Sequence, residues 1–255
     1  MTLVLILLAT IAGGVLSVLL AASLALTALQ RYAPLMVSFA VGAMLAAAFL
    51  GIIPEALAAG LPPAELGGWI LAGLFGFFLL EKAALWRHQH QSTSHHSALH
   101  HSALQSTVPV IVLGDGLHNF VDGVLIAAAF LTDPALGLTT VIAVILHEIP
   151  QEIGDFMVLL AAGLTRRRAL LLNALSGLAM VAGGVAGYLM LEAFQAMVPV
   201  ALAVSAASFI YIAVADLIPH LHRQTGAQSA FSQTALMGAG GAVILSSQLL
   251  LPHIH

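Results

Sequence analysis

Asp115-Gly-Leu-His118-Asn119-Phe120-Val121-Asp122-Gly123 and His147-Glu148-Ile149-Pro150-Gln151-Glu152-Ile153-Gly154-Asp155 are polar islands inside long apolar runs, 107–131 and 135–163. A helix that crosses a bilayer needs about 20 apolar residues, and both runs are long enough. Working outward, runs of similar length cover 3–29, 34–58, 64–86, 167–194, 198–221 and 230–251. Turn-formers separate most of them, including Pro34, Pro62-Pro63, Asp133-Pro134 and Pro199. The expected fold is therefore an all-α polytopic membrane protein with eight transmembrane helices.

Composition points the same way. Of 255 residues, 60% are hydrophobic and 7% charged, with a mean hydropathy of +1.05. Soluble domains carry about 25% charged residues, so most of this chain must meet lipid rather than water. Seven Lys and Arg residues and a net charge of -4 exclude a nucleic-acid partner. The chain has no cysteine, which removes disulfides and thiolate metal sites. The run 3–29 lacks a basic leader and exceeds a signal-peptide core, so it reads as a spanning helix, with a cleaved signal as the alternative.

The seven basic residues test the helix count. Arg31, Lys82, Arg87, Arg166, Arg167, Arg168 and Arg223 follow segments 1, 3, 5 and 7, all on one side of the membrane. The positive-inside rule makes that side cytoplasmic and puts both termini outside. One helix more or fewer would scatter the charges across both faces. The expected division is 1–87 for helices 1–3, 88–106 for a cytoplasmic loop, 107–163 for helices 4–5 and 164–255 for helices 6–8. The loop holds His88, His90, His95, His96, His100 and His101, half of the 12 histidines. It reads as a disordered linker with weak metal affinity. Segment 2 ends Ile53-Pro54-Glu55 and segment 7 ends Ile218-Pro219-His220. That echo suits an inverted repeat of helices 1–3 and 6–8 around the central pair.

Ionisable residues within a membrane are costly and mark function. In segment 4, Asp115, His118, Asn119 and Asp122 follow i, i+3, i+4, i+7 spacing and share one face. In segment 5, His147, Glu148, Gln151, Glu152 and Asp155 occupy neighbouring positions. Pro150 has no amide hydrogen, which predicts a bend and a freed Leu146 carbonyl at the same depth. At 1.5 Å per residue, His118 and His147 each lie about 17 Å from their own starting interface. On antiparallel helices they meet near the middle of a ~30 Å core. Imidazole, carboxylate and amide oxygens suit Zn²⁺, Fe²⁺, Mn²⁺ or Co²⁺. Mutual pairing for helix packing and a metal-free proton relay are the competing readings.

These two runs resemble the signature helices of the ZIP (Zrt/Irt-like) metal transporters, closest to the branch with His-Glu-x-Pro-His-Glu in the fifth helix. Ser208-Phe-Ile-Tyr211 through Asp216-Leu-Ile-Pro219 is similar to that branch as well. The resemblance implies a carrier of divalent metal, zinc first and then iron, manganese or cadmium, moving toward the cytoplasm by an elevator-like shift. It implies a homodimer in lipid, in a bacterial inner (cell) membrane, with no cofactor. Carried over, His118, His147, Glu148 and Gln151 bind the ion, with Asn119, Asp122, Glu152 and Met44 in helix 2 as further ligands. Asp115, Asp155, Asp216, His220 and Glu55 are candidates for the path. This chain departs from the pattern at Asp122, where Glu is commoner, at Gln151, where His or Glu is usual, and at Met180, where some relatives place a second-ion Glu. One or two bound ions both stay open. A passive channel of the same fold is the alternative. An intramembrane zinc hydrolase would need His at the position of Gln151.

Overall fold

The computed structural model describes residues 1–26, 33–92, 100–222 and 227–250. They form eight helical rods and, among the described residues, no strand. α1 covers 2–25, with a π-helical turn at Ile11–Leu16. α2 covers 33–58, with a π turn at Ala47–Ile52. α3 is Pro63–Ser92, α4 His100–Thr132, α5 Pro134–Ala161 and α6 Arg166–Ala193. α7 covers 198–222, with a π turn at Ile212–Leu217, and α8 is Ala227–Leu250. Among the described residues, seven rods are long and apolar enough to cross a membrane. α8 matches them at 24 residues but carries Ser and Gln at both ends. The chain is an integral membrane protein whose outer face is apolar. Leu71, Phe75 and Leu79 of α3 and Leu171, Leu175 and Leu178 of α6 all lie exposed.

Local chemistry sets the rod ends. Asp133, the single residue between α4 and α5, accepts from the backbone N–H of Ala135 at 2.7 Å and of Leu136 at 3.0 Å. Pro134 then opens α5 with its φ already helical. At the other end, Gly163 adopts φ +88°. Its N–H reaches Leu160 O and that of Leu164 reaches Leu159 O, a Schellman stop.

The sequence reading contains no π turns. Two of the three have a visible cause. Pro54 and Pro219 lack the N–H that would bond the carbonyl four residues back, and their rings crowd it. Each π turn sits immediately before its Ile-Pro pair and widens the backbone there. Pro150, the expected site of a bend, lies inside one continuous α-helix with no π turn. The histidine-rich stretch differs as well: α3 runs through His88 and His90 to Ser92, and α4 resumes at His100. His95 and His96 lie outside the described residues, as do the side chains of His88, His90, His100 and His101.

Two packing groups emerge. α4 lies along α6, and α1 lies along both α5 and α6; α2 lies along α8, and α3 along α7. Glycine permits the closest approaches. A Cβ on Gly123 would run into the Met180 carbonyl, and one on Gly183 into that of Phe120. Gly42 and Gly240 play the same reciprocal part between α2 and α8, against Met237 and Phe39. α5 also touches α2, which places the α4/α5 polar faces near the seam between the groups.

Candidate metal centre

His118 of α4 and His147 of α5 face each other. Their Nε2 atoms are 3.3 Å apart, and their ring centroids are 5.5 Å apart with planes at 76°. Asp122, one turn after His118, brings Oδ2 to 3.1 Å from His147 Nε2 and 3.7 Å from His118 Nε2. Glu148 brings Oε1 to 3.3 Å from His147 Nε2 and 3.6 Å from His118 Nε2. All four ligand atoms lie within 4.8 Å of one another. Asp122, His147 and Glu148 are fully buried, while the His118 side chain keeps 18% of its surface.

The donors suit a small divalent cation in number, charge and spacing. Zinc bonds to nitrogen and oxygen at about 2.0–2.2 Å, so tetrahedral donors stand about 3.3–3.6 Å apart. The five separations above span 3.1–3.7 Å. Two carboxylates and two neutral imidazoles balance a charge of +2. His147 Nδ1 lies 3.2 Å from the Ala143 carbonyl. A carbonyl only accepts, so Nδ1 carries the hydrogen and Nε2 turns its lone pair to the cluster. Neither oxygen of Asp122 or Glu148 accepts a hydrogen bond among the described residues.

The other expected residues spread around this core. Asn119 donates through Nδ2 to Asp115 Oδ1 at 2.9 Å, and its own Oδ1 is buried without a hydrogen-bond partner among the described residues. Gln151 donates to the same Asp115 oxygen at 3.3 Å. Glu152 turns toward α6, accepting from Asn173 Nδ2 at 2.7 Å. Met44 is fully buried in α2, and Asp155 is half-buried toward the end of α5. Glu55 lines a cavity of about 130 Å³ with Thr139 and Gln248, where α2, α5 and α8 meet. The side chains of Asp216 and His220 lie outside the described residues. Met180 lays its sulfur in the notch at Gly13 of α1.

The sequence reading missed three neighbours. Ser176 donates to Asp115, Asn173 holds Glu152, and the Phe209 ring stands 6.1 Å from that of His147. Asn173 and Ser176 share a face at i, i+3 spacing in an otherwise apolar segment, a signal that was available. Phe209 gives none, being one apolar residue among many.

Fold and site together define a polytopic membrane protein that presents a transition-metal ligand set between its two central helices. A family profile described as ZIP Zinc transporter matches residues 85–248. Zinc transporter ZIP13 of Pongo abelii is 31% identical over 232 residues, 85% of this chain and 67% of that protein. Zinc transporter ZIP6 of Homo sapiens is 41% identical over 112 residues, and zinc transporter foi of Drosophila melanogaster 40% over 120. Those matches cover 44% and 46% of this chain but only 15% and 17% of the relatives. The chain belongs to the ZIP zinc transporter family.

Proposed function

We propose that this protein carries divalent transition-metal ions, zinc foremost, across a cell membrane toward the cytoplasm. One observation carries the reading: four charge-balanced donors from α4 and α5 converge at metal-ligand spacing, far from either end of their helices. His118, Asp122, His147 and Glu148 hold the ion, with Asn119 and Gln151 adding amide oxygens and Met44 a thioether from α2. The part-exposed edge of His118 is its way in. Glu55 at the α2–α5–α8 cavity draws cations from outside. Asp115, Glu152 and Asp155, with Asp216 and His220, lead to the basic side.

Alternation of access, by movement of one bundle against the other, is part of the proposal. The helix pairings support it through a hidden symmetry. Exchanging α1 with α6, α2 with α7, α3 with α8 and α4 with α5 turns α4·α6 into α5·α1, and α2·α8 into α7·α3. All four pairings occur, as an inverted repeat requires. Both termini outside and a homodimer complete the reading.

Purified protein in proteoliposomes tests it. Saturable zinc uptake that disappears in His118→Ala supports a carrier. Flux that rises linearly without saturation replaces it with a channel, and no flux in the parent chain rejects transport.

A further inference from the structure

Asp115 lies three residues before His118, and no donor–donor distance of the metal cluster involves it. It is nonetheless a hub. Its Oδ1 accepts from Asn119 Nδ2 at 2.9 Å and from Gln151 Nε2 at 3.3 Å, and its Oδ2 accepts from Ser176 Oγ. Its backbone carbonyl takes a second contact from Asn119 Nδ2 at 3.2 Å. Three helices thus send donors to one carboxylate that is 7% exposed.

The consequence lies in the two amides. A side-chain amide offers a donor at one end and an acceptor at the other, and either end can face a neighbour. A metal ion accepts only the oxygen. Around Asn119 Nδ2 stand the Asp115 carboxylate and the Asp115 carbonyl, both acceptors only. Flipping the amide would press oxygen against two oxygens inside a membrane, where nothing else relieves the repulsion. The carboxylate therefore fixes nitrogen toward itself and oxygen away. Asn119 Oδ1 shows the outcome, buried and accepting from no donor among the described residues. Gln151 is oriented by the same oxygen. Ser176 holds the carboxylate from α6, so the orienting group is itself fixed.

We propose that Asp115 is a positioning residue: it does not bind the ion but turns the amides of Asn119 and Gln151 so that both present oxygen as metal ligands. The inference rests on the metal-carrier reading above and adds a cause for ligand quality that no ligand list contains. Residues that orient ligands typically contribute 10–100-fold in metal affinity.

Equilibrium Zn²⁺ binding to purified protein in detergent tests this with four chains: the parent, Asp115→Ala, Asn119→Ala/Gln151→Ala, and the triple variant. Asp115→Ala alone is expected to weaken zinc binding about 10–100-fold. With both amides already gone, it should change affinity by less than about twofold, because coupling vanishes when the intermediary is absent. A purely structural role would lower affinity equally in both backgrounds, and that result overturns the proposal. So does parental affinity in Asp115→Ala. Should Asp115→Ala fail to fold, Asp115→Leu keeps the volume and removes the acceptor, and the same cycle is read on it with the same non-additivity expected. A parent chain that binds no zinc would sink the carrier reading itself, which is distinct from zinc binding that ignores Asp115.

Discussion

Glu148→Gln should do opposite things to the metal-free and the metal-loaded protein. In the free protein, Asp122 and Glu148 bring carboxylate oxygens within 4.8 Å of each other, with the His118 and His147 imidazoles facing them. With both ionised, the repulsion at 4.8 Å and an effective dielectric of 20 is about 3.5 kcal/mol. Glutamine keeps the shape and removes one charge, so free-protein stability should rise by a sizeable part of that figure. In the loaded protein the same change leaves a divalent cation facing one carboxylate instead of two. Removing one partner from a buried ionic set costs about 3–5 kcal/mol. At 1.36 kcal/mol per decade, zinc affinity should fall between roughly a hundredfold and several thousandfold. Thermal unfolding in detergent, with and without saturating Zn²⁺, reads both effects. The variant should melt above the parent without metal and show little or no zinc-induced rise. A variant that melts lower without metal, or keeps the parent's zinc-induced rise, refutes the charge-balance argument.

Zinc affinity should also fall as pH is lowered, since both His118 and His147 must offer lone pairs and protons compete with the metal for them. The groups facing them are Asp122 and Glu148, and isothermal titration at several pH values should find proton release on binding. Gly183→Val drives its branched side chain into the Phe120 carbonyl. It should destabilise the α4–α6 pair by about 1–3 kcal/mol, read as a lower melting midpoint in detergent. Asp133→Ala removes the side-chain acceptor from the Ala135 and Leu136 amides. About 1 kcal/mol of stability should go with it, and faster hydrogen exchange at those amides is the check.

The eight rods were legible because lipid imposes a length and an apolar composition on every crossing, and the turn-formers between runs stand in the sequence. The facing of His118 and His147 was legible from counting residues along two antiparallel helices. Ligand partition was not. Spacing puts Gln151 and Glu152 beside His147 and Glu148, yet only tertiary packing decides that Gln151 answers to Asp115 and Glu152 to Asn173. A one-residue step turns a side chain by about 100°, which is enough to hand it to a different neighbour. The π turns escaped for a related reason. Proline announces a missing donor, but whether a helix bends or gains a residue depends on what packs against it. α5 absorbs Pro150 without interruption, whereas α2 and α7 widen ahead of theirs.

The distribution of interhelical hydrogen bonds bears on how such a protein could move. The His118–His147 contact and the bonds to Asp115 from Gln151 and Ser176 join α4, α5 and α6. The Asn173–Glu152 bond joins α6 to α5, and Gln233 reaches the Leu221 carbonyl between α8 and α7. Each lies within one packing group. Across the seam the Phe209 ring lies on His147, and small side chains such as Ala43 and Ala47 on α2 and Ala143 on α5 are buried in the common core. Directional bonds must break before their partners slide, at about 1 kcal/mol each or more when charged. Alanine faces present little relief to interlock. In this protein the bundle joined internally by these polar bonds is the one that carries the metal ligands.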